Sequence, residues 1–266
     1  MVGFRRALEA FEAAEEPAGL YLAWLGLMDG IMYRNDTLAE VPHWLAELKR
    51  LQARFGPPGD PALAGRVAFT AFNMGFTACP DSRGIHDWHQ SAERLRQGLP
   101  AILDPTGRCL AASCLAMFFT WHPRPSRLTL LAEALQPLID DEAVAPLARV
   151  IASPVEITRR WNDNDRDGTL EFIDQALALA ERHGILVGNL WLLSAAIIYC
   201  LTQQDHERGE VLLRRYRSHI RPANRHEQVH YHYLAAWSAW LQGELLLARE
   251  HIDRACADIG ELHSPH

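Results

Sequence analysis

A chain of 266 residues that is 48% hydrophobic and 22% charged has the apolar content for a substantial core, which excludes a disordered polymer. Its net charge of -7 and pI near 6.0 argue against a nucleic-acid surface, which shows clustered Lys and Arg on a basic balance. The N-terminal residues Phe4, Arg5 and Arg6 do not make a signal peptide, and the longest apolar run, Leu190 to Leu201, is too short to span a bilayer. A cytoplasmic protein with no membrane contact is expected.

Helical periodicity runs from end to end, and no stretch reads as alternating strand. A leading helix is expected at about residues 4–14. Breakers then cut the chain at Gly56-Pro57-Pro58-Gly59, Cys79 to Gly84, Leu103 to Gly107, His122 to Pro125, and Asn162 to Gly168. Further breaks fall at His183-Gly184, Arg221 to Asn224, and Gln242-Gly243. Apolar helices end near Tyr33 and Ala78, then at Trp121, Trp161, Leu201 and Leu241, the last four spaced by 40 residues. Each is followed by a polar turn and a second helix. A fixed period of this size marks stacked two-helix units.

The second helices share a small-then-large pattern at 4-3-4 spacing, which puts each set on one helical stripe. Thr169, Ile173, Ala176 and Ala180 correspond to Gly209, Leu213, Tyr216 and Ile220, and again to Ala248, Ile252, Ala255 and Ile259. The small first residue admits the paired helix closely, and stacked neighbours bury the stripe. The fold expected is all-α: a right-handed superhelix of about six antiparallel helix pairs over residues 17–260, in one domain spanning 1–266.

Between two of these helices, Asp163 to Asp174 resembles a calcium loop. Asp163, Asp165 and Asp167 stand at its first, third and fifth positions, Gly168 makes the sharp turn, and Asp174 replaces the usual bidentate Glu at the twelfth. The plainer reading is a polar turn with Asp167 or Thr169 as the helix N-cap. Arg208, Arg214, Arg215, Arg217 and Arg221 follow as a solvated helix face. His226-Glu227-Gln228-Val229-His230 is a literal H-E-x-x-H, with Glu250 at a distance some zinc peptidases use for their third ligand. That chemistry would give zinc to His226, His230 and Glu250, and general-base work to Glu227. The β-sheet such peptidases carry is not legible here, so no metal or other cofactor is expected. The further C-terminal histidines, among them His219, His232, His251, His263 and His266, are spread over several helices. Cys79, Cys109, Cys114, Cys200 and Cys256 are odd in number, widely spaced and without a CxxC pair, and read as reduced, buried thiols. No G-x-S-x-G elbow, phosphate loop or dinucleotide fingerprint occurs.

The runs Leu170 to Ile185, Tyr231 to Trp237 and Gln242 to His251 resemble the tetratricopeptide-like superhelical region of large bacterial ATP-dependent transcriptional activators of the maltose-activator type. The resemblance implies a region that senses an inducer or docks a partner, in a family whose ATPase and DNA-binding domains lie elsewhere in the chain. No GxxxxGK[ST] loop and no basic recognition helix occur here, so the chain is expected to be a piece of such a regulator or a free-standing relative. The tetratricopeptide pattern aims one face of each first helix inward. That selects Trp161, then Trp191, Ser194, Ile198 and Leu201, then His230, Tyr233, Trp237 and Trp240. Trp and Tyr anchor partners because they bury large area at small entropic cost. The function expected is a non-catalytic sensor or scaffold module with a protein or a small-molecule inducer as partner, self-association through the end helices as a further option, and no direct nucleic-acid contact. The alternative is a zinc-dependent hydrolase built on the H-E-x-x-H sequence.

Overall fold

The computed structural model describes residues 2–34, 38–78, 85–102, 104–122 and 125–262. Among the described residues there are thirteen helices and no strand. They are α1 (Val2–Ala13), α2 (Pro17–Arg34), α3 (Val41–Phe55), α4 (Pro61–Ala78), α5 (Ile85–Ile102), α6 (Pro105–Trp121), α7 (Pro125–Asp140), α8 (Pro146–Asn162), α9 (Arg166–Arg182), α10 (Val187–Thr202), α11 (His206–His219), α12 (Arg225–Leu241) and α13 (Leu245–Leu262). The chain is all-α. The anticipated helix ends at Tyr33, Ala78, Trp121, Trp161, Leu201 and Leu241 fall within one residue of the ends of α2, α4, α6, α8, α10 and α12. No helix is long and apolar enough to cross a membrane among the described residues. The helices group into two compact units that divide between Phe118 and Phe119.

In the first unit α1 lies along α2. A Cβ at Gly26 would stand 2.3 Å from the Phe4 ring, and one at Gly19 would stand 2.4 Å from the Phe11 ring. Both glycines therefore serve as the sockets for α1's aromatic knobs. Trp24 is wholly buried, and its indole N–H donates at 2.8 Å to the Trp44 carbonyl, which satisfies its one donor. Phe72 and Phe76 of α4 meet Phe118 edge-on at 5.3 and 5.4 Å. Burial pushes the Cys114 thiol up to about 12.

The repeat is clearest in the backbone of the second unit. Asn164 (φ 57), Gln204 (φ 59) and Gly243 (φ 79) are left-handed. The amides of the following residues, Asp165, Asp205 and Glu244, donate back to Arg160, Cys200 and Ala239 at 3.1, 2.9 and 2.9 Å. One cap thus ends α8, α10 and α12, satisfying carbonyls a helix end would otherwise leave open. The next helix starts at once, since the Asp165 and Asp205 carboxylates accept from the Gly168 and Arg208 amides. This corrects the cap expected at Asp167 or Thr169: Asp165 fills it, and Asn164 rather than Gly168 makes the sharp turn. Gly168 stays small because a Cβ there would stand 2.1 Å from Asp165 Oδ2.

α8 packs on α9, α10 on α11 and α12 on α13, while α8 also packs on α10 and α10 on α12. The second helices α9 and α11 are bridged by long side chains, Arg208–Asp174 at 2.6 Å and Arg215–Glu181 at 2.7 Å. Thr169, Ile173, Ala176 and Ala180 are all buried, as the stripe requires. Gly209 is buried too, and a Cβ there would meet Leu201 at 3.1 Å. Three stripe positions depart from the expectation, Leu213 being half-buried beside the buried Leu212. Ile220 lies beyond α11 as its extended C-cap residue, and Ile252 is 44% exposed because α13 packs chiefly on α12. The Ile259 side chain lies outside the described residues, as does Cys79. Cys109 and Cys200 are buried, but Cys256 is exposed, contrary to the expectation of buried thiols.

Candidate ligand-binding face

The start of α12 is capped by Asn224 and tied to the preceding turn through Glu227. Asn224 Oδ1 accepts from the Glu227 amide at 3.0 Å, and the Glu227 carboxylate accepts from the Arg221 amide at 2.8 Å and from Arg221 Nε at 2.9 Å. Glu227 is buried at 1% exposure. The carboxylate that a zinc peptidase would keep as general base is thereby committed to Arg221 in the turn before α12. His226 and Glu250 are exposed, His230 is half-buried, and among the described residues no group of three or more His, Cys, Asp or Glu side chains converges on a metal position.

The carboxylates of the calcium-like loop are engaged in the same way. Asp163 pairs with Arg159 at 2.7 Å, and Asp174 pairs with Arg208 at 2.6 Å. Asp165 holds the Gly168 amide at 3.0 Å and lies 3.8 Å from Arg160. Asp167 sits in the first turn of α9, where a negative charge complements the helix dipole.

The remaining expected residues lie on α8, α10 and α12. Trp161, 36% exposed, meets Tyr199 of α10 edge-on at 6.1 Å. Trp191 and Ile198 are half-buried on α10. Ser194 and Leu201 are not on the open face: both are buried, and the Ser194 hydroxyl donates to the Leu190 carbonyl at 2.9 Å. The facing helices cover this side of α10, where Leu201 stands over Gly209. On α12 the rings form a ladder. His230 stacks on Tyr233 at 6.2 Å, and Tyr233 lies tilted against Trp237 at 6.1 Å. Trp237 is half-buried, while Tyr233 and Trp240 are 46% and 59% exposed.

Two features escaped the sequence reading. The first lies beneath the ladder, where the Tyr216 hydroxyl stands 3.4 Å from His230 Nδ1. Burial, with some repulsion from His226, lowers His230 to about 4. Burial raises Tyr216, the Ser194 hydroxyl pulls it the other way, and the Glu227 charge raises it further. This ring is therefore a neutral, hydrogen-bonded wall at physiological pH. The second is a histidine pair across the α12–α13 hairpin, His232 Nδ1 to His251 Nδ1 at 2.8 Å. It was in principle legible, since the two residues lie ten before Gln242 and eight after Gly243, nearly level across an antiparallel turn. No protein-family model, curated protein or solved structure matches this chain.

Proposed function

We propose that the chain is a non-catalytic recognition module that binds a protein partner or a small inducer on the face formed by α8, α10 and α12. The observation that carries this is the His230–Tyr233–Trp237 ladder continued by Trp240, whose outer rings stand in solvent. Rings of this kind contribute large contact area with little rotamer entropy to lose. The same exposed character runs on around the turn through Leu241, Leu245 and Leu246, at 37%, 62% and 81% exposure, which favours a protein partner over a small ligand. Direct packing of α8 on α10 and α10 on α12, against side-chain bridges between α9 and α11, supports a superhelix of helix pairs with the first helices inside. By resemblance, the larger setting is a bacterial transcriptional regulator of the maltose-activator type, with this region as its sensor.

The test is thermal. A panel of peptides and small metabolites is screened for a rise in melting temperature, and each hit is repeated on Trp237→Ala and Trp240→Ala. The reading expects a shift that Trp237→Ala abolishes. A hit that survives both substitutions would place recognition elsewhere on the molecule.

A further inference from the structure

The end of α11, α12 and α13 border an open cleft of about 340 Å³ that has no part in the aromatic ladder. Its walls include Arg217 of α11, Gln228, Tyr231 and His232 of α12, and Arg254 of α13. Arg217 lies over the Tyr231 ring at 5.8 Å. The other basic side chains of these helices are mostly spoken for: Arg214 with Glu210, Arg215 with Glu181, Arg221 with Glu227, Arg249 with Asp253. Arg217 and Arg254 have no described carboxylate within ion-pair distance. Two exposed guanidinium groups outside any described ion pair line one cleft and, in a chain of net charge -7, form a local positive site.

His232 of this lining pairs with His251 of α13, with ring centroids 5.1 Å apart and Nδ1 atoms 2.8 Å apart. That separation requires one Nδ1 to carry a proton and the other a lone pair. The pair can accept one further proton on an outer nitrogen and keep its contact, whereas a second would set two donors against each other. Both rings are lowered first by burial. Arg217 and Arg254 on α11 and α13 add to the effect on both, and His251 itself lowers His232. Asp258 opposes the shift at His232 and Glu250 opposes it at His251, both from α13.

We propose that this cleft is an oxyanion site, taking a doubly charged tetrahedral group such as phosphate or sulfate between Arg217 and Arg254, with the histidine pair at one wall gaining a proton when the anion enters. Guanidinium groups match tetrahedral oxyanions through paired N–H donors. A bound dianion offsets the positive field that adds to burial in keeping the histidines neutral, so binding and proton uptake reinforce each other and affinity rises as pH falls.

The probe is sulfate, whose charge is constant between about pH 5 and 8, titrated into the tag-free full chain at fixed ionic strength by calorimetry and by histidine Hε1 NMR. Expected results are a saturable site, movement of the His232 and His251 resonances, tighter binding at pH 5.5 than at pH 7.5, and a loss of tenfold or more in Arg254→Ala. Arg249→Ala, a surface change on the same helix, leaves affinity unchanged, and His251→Phe removes the pH dependence. Absence of saturation with unmoved histidine resonances would overturn the proposal. So would equal losses in Arg249→Ala and Arg254→Ala, which would mean that only the general charge of α13 is sensed. Phosphate in place of sulfate reports whether the site distinguishes the two ions.

Discussion

At the scale of single residues, burial decides chemistry. Glu227 looks catalytic in its H-E-x-x-H setting and is structural in the fold, because the Arg221 amide and guanidinium claim its carboxylate. Glu227→Gln should therefore act on stability, lowering it by about 1–3 kcal/mol through loss of charged hydrogen bonds at a buried site. Urea denaturation measures this, and an unchanged midpoint would free Glu227 for another role. His230 gives a signed pH effect. Its folded value of about 4 lies below the ordinary 6.5, so between those values the unfolded chain takes up a proton that the folded site refuses. Stability is unaffected by this group above pH 6.5 and falls as pH drops toward 4, by at most about 1.4 kcal/mol per unit. His230→Gln should flatten that part of a melting-temperature profile, leaving the same-signed contributions of His232 and His251.

At the scale of elements, the recurring unit is a helix and a left-handed cap, followed at α9 and α11 by a carboxylate-started second helix. Its period of 40 and then 39 residues is carried by Asn164, Gln204 and Gly243. Only the last is glycine, so the first two hold a left-handed conformation that L side chains adopt at a cost. Gln204→Gly should stabilise the protein by up to about 1 kcal/mol, and Gly243→Ala should destabilise it by about 1 kcal/mol. A Cβ at Gly243 meets nothing within 4 Å, so the backbone alone is tested there. Calorimetric melting of the two variants checks both signs, and shifts in the same direction would remove the cap as the repeating device. The ends of these helices were legible in the sequence because Asn, Asp, Gly and Gln clusters interrupt strong apolar periodicity. The exact caps were not, because Asp163, Asp165 and Asp167 are chemically equivalent candidates until the backbone turns at Asn164.

At the scale of the whole molecule, the second unit has its own core, built from Ile173, Leu192, Leu193, Ile197, Tyr216 and Leu234. Residues 119–262 expressed alone should retain a helical circular dichroism spectrum and a cooperative melt. A featureless, gradual loss of signal would mean that residues before 119 are needed to complete that core. The sequence by itself determined the all-helical class, the positions of most helix ends, the 40-residue period and the aromatic stripe on α12. Each follows from local rules: 3.6-residue periodicity, breaker residues and side-chain chemistry act over a few turns. Tertiary structure alone decided which half of a stripe is buried. Ser194 and Leu201 turned inward while Trp191 and Ile198 stayed at the edge, because facing helices, not spacing, choose the packed side. It also decided the pairing of Arg221 with Glu227 across a turn, and of Tyr216 with His230 and His232 with His251 between successive helices. Such contacts depend on how helices are set level with one another, which is fixed by the sum of many weak packing contacts rather than by any short motif.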